Sequence, residues 1–366
     1  MSKILILNEC NSDNIGDQAI SEGMAAIFSD IGFTVVKEDF SCNPPDSKNF
    51  PKEKNSISVS KLIFARIKKI VPIQLHSIIW LIRSYRKMKE VISGDFSHAV
   101  IGGGQLVLSN INFPLALYLW AFFLKKKGID YSVIACGAGE SFRWYEKYLI
   151  HYALKHANNK VYMRDQRSIQ NVKKNFGINA SFCPDAAYYL HKKYDKNLVE
   201  VKHKKKISII CITDYSIFLQ FAAEMNRSIL TESDYINDWV NITVDHARQG
   251  YQICLAATTV ADLQQTMALK NALEETGFND FTTKTELADC FDFLDFVGNA
   301  ELLTAGRMHA LILSQIAGTK INPYLISKKI IGFNNDYLHV DPGFQCQNFM
   351  KIITKLANQQ RLFKDA

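Results

Sequence analysis

The sequence predicts an α/β protein with two Rossmann-like domains that face a cleft. Short β-branched runs alternate with amphipathic, helix-length stretches along nearly all of the 366 residues. That alternation is typical of α/β proteins with mainly parallel sheets. A charged segment without apolar periodicity, 191–206, interrupts it. We therefore predict an N-terminal domain over 1–195 and a C-terminal domain over 206–366.

The apolar periodicity predicts the elements of each domain. The first domain has strands at 3–7, 33–38, 98–102, 131–136, 160–163 and 179–183, and helices at 17–30, 113–127, 141–157 and 165–175. The second has strands at 207–212, 251–256, 301–304, 321–325 and 330–333, and helices at 232–249, 260–277, 308–317 and 345–357.

Composition narrows the class of protein. An apolar fraction of 48%, with 18 Gly and 8 Pro, excludes a disordered or fibrous chain. The eight cysteines are never closer than 28 residues apart, so no local zinc spacing or redox pair is present. The N-terminus enters a strand-like run directly, and the most apolar window, 111–124, is too short to span a bilayer. We expect a reduced, cytoplasmic chain without a metal site.

The positive charge is concentrated in one segment. Lys and Arg exceed Asp and Glu by 43 to 36, and residues 61–90 hold eight bases and one acid, which equals the whole excess of +7. Pro72 separates two basic, apolar pieces of helix length. A surface-lying membrane element has this composition, although two core-packing helices with snorkelling Lys and Arg would share it. We expect contact with an anionic membrane surface and not with nucleic acid.

Unusual loops follow several predicted strands, where an open parallel sheet binds its ligands. In the loop 8–17, Asn14 and Asp17 either cap the following helix or contact a ligand. After the strand at 98–102, Gly103 and Gly104 provide amides that can face an anion, but the loop lacks the spacing of a dinucleotide fingerprint or P-loop. We treat the four residues as candidates for the cleft or the acceptor site.

The loop 137–141 also connects a strand to a helix. Gly137 and Gly139 either approach an anionic ligand or form a tight turn in which Ser141 is the helix N-cap.

Two charged residues lie near the end of the first domain. Arg164 follows a strand and can grip a phosphate or carboxylate, unless it forms a surface salt bridge to Asp165, a reading that suits Arg167 better. Asp185 either caps a helix or orients a base in the cleft.

The second domain contains the strongest candidates. Gly306 allows a sharp turn after a strand, Arg307 supplies a fixed positive fork, and His309 reaches the same pocket from the start of a helix. The helix dipole there favours an anionic ligand. A histidine beside an apolar run is often structural, but the neighbouring Arg and Gly favour a functional role.

The ordered set of motifs resembles the polysaccharide pyruvyl transferase family. The motifs are NIGDQAI at 14–20, IGGGQL at 101–106, RDQRS at 164–168, CPDAA at 183–187 and GRMHA at 306–310. The resemblance implies a GT-B-like fold and transfer of a pyruvyl group from phosphoenolpyruvate to two hydroxyls of a saccharide, with formation of a ketal. Phosphoenolpyruvate is then the donor substrate, and no cofactor is needed.

The resemblance also implies roles for individual residues. Arg307 and His309 match the family's Arg-x-His element, and Arg164 matches its arginine after an N-domain strand. Arg307 and Arg164 would bind the two anionic groups of the donor, and His309 would act as general acid or base. The loop 137–141 departs from the family, so Glu140 or Ser141 would replace its usual polar group. Acceptors in the family are often lipid-linked, which places such an enzyme at the cytoplasmic face of the inner membrane.

Two other classes of protein share some of these features. A GT-B-type glycosyltransferase would use a nucleotide sugar with the same two-domain architecture. A catalytically silent saccharide-binding or scaffold protein would hold Arg307 and His309 away from the cleft.

Overall fold

We analysed a computed structural model of the chain, which describes residues 2–44, 73–110, 112–158, 160–194, 204–225 and 228–362. The central part of the predicted linker, 195–203, and the first half of the basic segment, 61–72, lie outside the described residues. The chain forms two compact units, which are described one at a time.

Unit 1 contains a six-stranded parallel sheet in the order β2-β1-β3-β4-β5-β6. Its strands are β1 (Lys3–Asn8), β2 (Thr34–Asp39), β3 (His98–Gly102), β4 (Tyr131–Cys136), β5 (Val161–Met163) and β6 (Ser181–Phe182). Helix α1 (Ile15–Asp30) belongs to unit 1 only from Met24 onward. The other helices of unit 1 are α2 (Ile73–Ile92), α3 (Phe113–Lys127), α4 (Trp144–His156) and α5 (Gln166–Phe176). From β1, the chain adds β2 on one side and β3 on the other, so the topological switch point of this sheet lies between β1 and β3.

The core of unit 1 lies between the sheet and the helices that cover it. Central strands are buried on both sides and read as continuous apolar runs, as in YSVIAC of β4. Trp120 of α3 is fully buried, and its indole Nε1 donates to the carbonyl of Phe40 at 2.9 Å. This bond satisfies the one polar atom of the largest core side chain and ties α3 to the end of β2.

Unit 2 contains a five-stranded parallel sheet in the order β11-β10-β7-β8-β9. Its strands are β7 (Lys205–Cys211), β8 (Gln252–Ala256), β9 (Phe281–Lys284), β10 (Ala300–Ala305) and β11 (Lys320–Pro323). Its helices are α6 (Leu190–Tyr194), α7 (Tyr215–Glu224), α8 (Glu232–Arg248), α9 (Val260–Glu275), α10 (Cys290–Gly298), α11 (Met308–Ile316), α12 (Lys328–Tyr337) and α13 (Pro342–Leu362). The switch point of this sheet lies between β7 and β10.

The units differ from the two predicted stretches of chain. Unit 1 comprises 1–12 and 24–186, and unit 2 comprises 13–23 and 187–366. Residues 13–23 belong to unit 2 because their loop is bound there: the amide of Ile15 donates to the carbonyl of Thr258 at 3.3 Å, and Asp13 Oδ2 accepts from the amide of Val260 at 3.2 Å. The C-terminal boundary also lies earlier than predicted, because the short helical turn after Asp185 already packs with unit 2.

Most predicted elements are present, and the errors have physical causes. The predicted strand at 330–333 is wrong: these residues lie in α12, where Ser327 caps the helix and Ile330 and Phe333 share a buried face. The edge strand β9 was not predicted, because its sequence FTTK has no apolar alternation. Two further helices, α7 and α10, were also missed. Within the described residues, no helix is both long and apolar enough to cross a bilayer.

All eight cysteines are buried and none forms a disulfide. Burial raises the pKa of the Cys42 thiol to about 11 and that of the Cys136 thiol to about 12. The thiolate is the reactive form, so these thiols stay protonated and inert at neutral and mildly alkaline pH.

We therefore expect the native protein to resist alkylation by iodoacetamide at pH 8.5, where an unfolded cysteine is about half ionised. Mass spectrometry should show few adducts on the native chain and eight on the chain unfolded in urea. Because native pKa values are raised, native reactivity should increase only as the pH approaches 11. Rapid modification of Cys42 or Cys136 at pH 8.5 in the native state would contradict the structure.

Candidate functional site

The site in unit 2 lies at the switch point of its sheet. Adjacent strands β7 and β10 are paired in register, with Ile209 opposite Leu303. Thr213 lies just after β7, and Gly306 and Arg307 follow β10. An open parallel sheet leaves a crevice where its strand order reverses, so these loops are where a ligand of unit 2 should bind.

A small pocket of about 70 Å³ opens among these loops. Its lining combines residues of the predicted motifs 14–20 and 306–310 with one residue after β8 and one at the start of α12. The lining residues are Asn14, Ile15, Gly16, Thr258, Arg307, Met308, His309, Ala310 and Lys329. All of them belong to unit 2.

A buried carboxylate holds Arg307 in place. Its Nη2 donates to Asp262 Oδ1 at 2.6 Å and its Nε to Oδ2 at 3.1 Å. Asp262 also accepts from the Thr258 hydroxyl at 3.0 Å and from the backbone amide of Asp214 at 2.9 Å. Each carboxylate oxygen therefore has two donors, which compensates for its complete burial. The guanidinium plane is fixed as a result, while the side chain stays partly exposed beside the pocket.

At two positions of the site, neighbouring side chains approach the backbone so closely that only glycine fits. A Cβ on Gly306 would lie 2.7 Å from Thr213 Oγ1 and 3.1 Å from Ile326 Cδ1. A Cβ on Gly16, in the first turn of α1, would overlap the imidazole of His309 at Nδ1, Cγ and Cβ. The backbone of α1 thus packs directly on His309, and no other residue type fits there without moving the ring.

Three helices start at the pocket: α1 at Ile15, α11 at Met308 and α12 at Lys328. A helix start carries partial positive charge, and its first amides have no acceptor within the helix. Arg307, at the N-cap position of α11, makes no side-chain cap to that helix. Together with Lys329 and Arg307, the helix starts make the pocket suited to phosphate or carboxylate groups.

Asn14 has both roles that the sequence allowed. Its Oδ1 accepts from the amide of Gly16 at 2.9 Å, so it caps α1, and it also lines the pocket. Asp17 lies in the first turn of the same helix but is not among the lining residues.

In unit 1, Arg164 is enclosed and paired with a buried acid. Its Nη1 lies 3.0 Å from Asp185 Oδ2, and its Nε lies 3.8 Å from Asp165 Oδ2. A Cβ on Gly137 would be 2.9 Å from Arg164 Nη2, so the glycine backbone covers the guanidinium. Asp185 therefore orients an arginine, while Asp165 caps α5 by accepting from the amide of Ser168 at 2.6 Å.

The remaining candidates of unit 1 are held in loops. Gly103 and Gly104 have φ of 76° and 71°, a backbone conformation that favours glycine, and the Gly104 carbonyl accepts from the Gly137 amide at 2.8 Å. The amide of Gly139 donates to Val107 at 2.8 Å. The chain thus folds these glycines into paired turns at the carboxyl edge of the sheet. Their predicted contact with a ligand stays a prediction.

The loop 137–141 differs from the capped turn that the sequence allowed. Helix α4 begins at Trp144 with Arg143 at its N-cap, so Ser141 is not the cap. Glu146 Oε2 instead accepts from the amide of Arg143 at 2.8 Å. Arg167 pairs with Glu140, with its Nη2 2.8 Å and its Nε 3.1 Å from Oε1, and not with Asp165.

Sequence reasoning missed three residues of the unit 2 site. The apolar run at 330–333 predicts a strand and so conceals the helix that begins at Lys328, although Ser327 is a typical N-cap. Asp262 stands three residues after Thr259, the spacing of a capping box, and its backbone amide does donate to the Thr259 hydroxyl at 3.1 Å. Nothing in that local pattern indicates Arg307 as its partner. Thr258 lies between the predicted strand 251–256 and the predicted helix 260–277, where no signal singles it out.

Within the described ranges, no group of three His, Cys, Asp or Glu side chains is placed to hold a metal ion.

The fold and the switch-point site define a class of protein: two α/β units with parallel sheets, as in the GT-B fold. Similar structures include S. aureus MnaA with UDP (TM-score 0.54, 10% identity, 98% of this chain and 97% of that chain covered). They also include the UDP-GlcNAc 2-epimerases of Neisseria meningitidis (0.51, 7%, 98% and 92%) and Methanocaldococcus jannaschii (0.51, 10%, 98% and 100%). At these identities the likeness concerns the fold alone.

A family model identifies the chain more closely. The model for polysaccharide pyruvyl transferases matches residues 14–321, from the loop that starts α1 through β11. No curated protein sequence is significantly similar to the chain. The chain belongs to the polysaccharide pyruvyl transferase family, which implies a transferase with a saccharide acceptor.

The buried pair of unit 2 leads to a stability prediction. Asp262→Ala should lower the free energy of unfolding by about 3 kcal/mol or more, because it leaves Arg307 and two further donors without their acceptor. Asp245→Ala is a matched control, since Asp245 also pairs with an arginine, Arg248, but at an exposed site. That control should cost less than about 0.5 kcal/mol. Urea unfolding curves measure the free energy of unfolding of both variants. Equal decreases would show that the buried Asp262 network stabilises the protein no more than an exposed ion pair does.

Proposed function

We propose that the protein transfers a pyruvyl group from phosphoenolpyruvate to two hydroxyls of a saccharide, forming a cyclic ketal. One observation carries the proposal: three helix starts, Arg307, His309 and Lys329 converge on one small pocket of unit 2. The donor has a phosphate and a carboxylate on adjacent atoms of a three-carbon unit. A compact pocket with two cationic side chains and the partial positive charge of helix starts matches that charge.

The pocket residues have distinct parts in binding. Arg307 uses Nε and one Nη2 hydrogen to bind Asp262. Its remaining Nη donors lie in the same fixed plane, which suits a planar carboxylate or a phosphate face. Lys329 adds a point charge from the first turn of α12. Holding the donor in one pose lowers the entropic cost of the reaction.

The chemistry requires one proton donor and acceptor beside these cations. A sugar hydroxyl oxygen bonds to C2 of the donor while the C3 methylene takes a proton and becomes a methyl group. The C2–O bond to phosphate then breaks, and phosphate leaves with the bonding electron pair. The second hydroxyl bonds to C2 and closes the ketal, so the two hydroxyl protons balance the methyl group and the released phosphate.

His309 is the group proposed for that proton transfer, as general acid toward C3 or as general base toward the hydroxyl. Its ring is held by the backbone of Gly16 and lies at the pocket wall. Cations and helix starts would stabilise the negative charge that moves onto phosphate. No cofactor takes part in this scheme.

The candidates in unit 1 keep their predicted parts in the proposal. Arg164 and Gly137 are proposed as donor contacts together with Gly139. Gly103, Gly104, Glu140 and Asp185 are proposed on the acceptor side, with Asn14, which precedes α1, and Asp17 in the first turn of α1. We further propose a lipid-linked acceptor used for a capsule or exopolysaccharide, and action at the cytoplasmic face of the inner membrane.

A glycosyltransferase with a nucleotide-sugar donor would share the fold. The two functions differ in the ligand that stabilises the protein against heat. We expect phosphoenolpyruvate at about 100 times its Kd to stabilise the protein by ~2.7 kcal/mol, and UDP or UDP-sugars to have no effect. The reverse result would favour the glycosyltransferase.

The activity itself is tested on a candidate repeat unit incubated with phosphoenolpyruvate. Mass spectrometry should detect an added pyruvyl ketal with the wild type, and at least ~100-fold less product with His309→Asn and Arg307→Lys. His309→Asn retains a polar side chain, so its circular dichroism and melting should stay close to wild type. Arg307→Lys breaks the bidentate pair with Asp262, so it should keep the wild-type circular dichroism and melt at a lower temperature. The matched control Arg248→Lys, on the exposed face of α8, should keep full activity. Wild-type turnover in either site variant would remove that residue from the mechanism.

The contact between Gly16 and His309 gives a second prediction. Gly16→Ala should push the imidazole aside and lower kcat/KM ~100-fold, because displacements of about 1 Å at a reacting group have effects of that order. The control is Gly332→Ala in α12, where a Cβ meets nothing within 4 Å. That variant should be fully active and more stable by about 0.5–1 kcal/mol. Full activity of Gly16→Ala would show that the position of His309 does not matter.

A further inference from the structure

The outward face of one helix layer in unit 1 has an unusual composition. Helix α2 contacts α3, and α3 contacts α4. The crossovers from β2 through β5 all proceed in the same direction along the sheet, and right-handed crossovers of this kind place their helices on one face. The sides of α2 and α4 that point away from the sheet therefore face the same way.

Helix α2 exposes apolar side chains where a water-facing helix has polar ones. Ile79 and Ile82 are 56% and 53% exposed and lie one turn apart, and Tyr85 is also exposed. The opposite side of the helix is the packed one, with Ser84 and Met88 buried. The core therefore does not account for the two isoleucines.

Basic residues surround these isoleucines on the exposed side. They are Arg83, Arg86 and Lys89, and the side has one acid, Glu90. None of the three bases has an ion-pair partner among the described residues, whereas Lys87, at the border of the packed side, pairs with Glu38 at 3.2 Å. The bases are thus available to an external anionic surface.

Helix α4 repeats this combination with aromatic residues. Trp144 and Tyr148 are 83% and 69% exposed and lie one turn apart. Lys147 is exposed beside them, while Glu146 is buried and bound to Ser109 and to the backbone of Arg143. Trp and Tyr with neighbouring Lys are the residues that occupy the interface between water and lipid headgroups.

We propose that the exposed faces of α2 and α4 form a docking surface for an anionic lipid bilayer, with Ile79, Ile82, Trp144 and Tyr148 entering the headgroup region. Positive charge and apolar side chains on one face complement anionic headgroups and the acyl boundary beneath them. A second copy of the chain would bring two positive faces together, and a nucleic acid would leave the isoleucines unmatched. The inference is independent of the donor chemistry.

The surface also lies close to the edge of the sheet where unit 1 is expected to bind its ligand. Trp80, next to Ile79, donates from Nε1 to the carbonyl of Ser41 just after β2 at 2.9 Å. Trp144 follows the loop that leaves β4. Both helices therefore bring their membrane-facing residues toward the carboxyl edge of the sheet. For a lipid-linked acceptor, which rests on the proposed function, this arrangement would present that edge to the bilayer.

Vesicle flotation with the full-length protein tests the surface. The wild type should float with vesicles of phosphatidylcholine and phosphatidylglycerol and not with phosphatidylcholine alone. Arg83→Gln with Arg86→Gln should weaken binding about 25-fold, because each base near an anionic surface contributes roughly fivefold. Ile79→Ser with Ile82→Ser should weaken it by at least about tenfold, because both apolar side chains leave the interface.

Matched controls come from exposed residues of unit 2. Phe344→Ser with Ile229→Ser removes equally exposed apolar side chains, and Arg248→Gln with Lys351→Gln removes two exposed bases. Both controls should float like the wild type. Absence of flotation with anionic vesicles would overturn the proposal, as would unchanged flotation of both α2 variants. A dimer in light scattering that Ile79→Ser with Ile82→Ser dissociates would instead identify the face as an interface between copies.

The same variants separate this proposal from the proposed function. Stabilisation by phosphoenolpyruvate in vesicle-free solution should be identical in the wild type and in the α2 variants. Flotation without any effect of phosphoenolpyruvate would overturn the proposed donor and leave the membrane surface standing.

Discussion

The carboxylate of Asp262 is the contact on which the unit 2 site depends. It ties together the loops after β7, β8 and β10 by accepting from the amide of Asp214, the Thr258 hydroxyl and the Arg307 fork. A fully buried carboxylate is stable only when its oxygens are satisfied, so these loops can adopt few other arrangements. The plane of the guanidinium follows from this network and not from a ligand. The site is in this sense preorganised.

Two glycines allow the elements of the unit 2 site to pack closely together. Residues 14–16 and 307–309 are about 290 residues apart along the chain, yet they line one pocket. The backbone of Gly16 takes the place of a side chain against His309, and Gly306 does the same against Thr213. The two glycines therefore do more than form turns, because they allow neighbouring elements to pack closely. A Cβ at Gly16 or Gly306 would push apart the elements that carry the charged groups.

The alternating strands and helices could be predicted from the sequence, but the partners of the site residues could not. Buried parallel strands such as β4 are continuous apolar runs, and glycines end α3 and α5, so periodicity located them. The edge strand β9 and the short helix α12 lack such signals. Arg307 and His309 were found because they follow a strand and start a helix. Asp262 is 45 residues away along the chain, and only tertiary structure joins it to Arg307.

Positive charge acts at two different ranges in this protein. In the pocket, Asp262 neutralises Arg307, so that pair supplies directed donors and little net charge. Binding of an anion there therefore relies on those donors, on Lys329 and on the helix starts, whose effect fades within about one turn. On α2, exposed bases instead sum to a field that reaches about one Debye length, ~8 Å at physiological ionic strength. The exposed charge of α2 therefore suits the association with a surface that we propose, whereas binding of a small anion depends on geometry within unit 2.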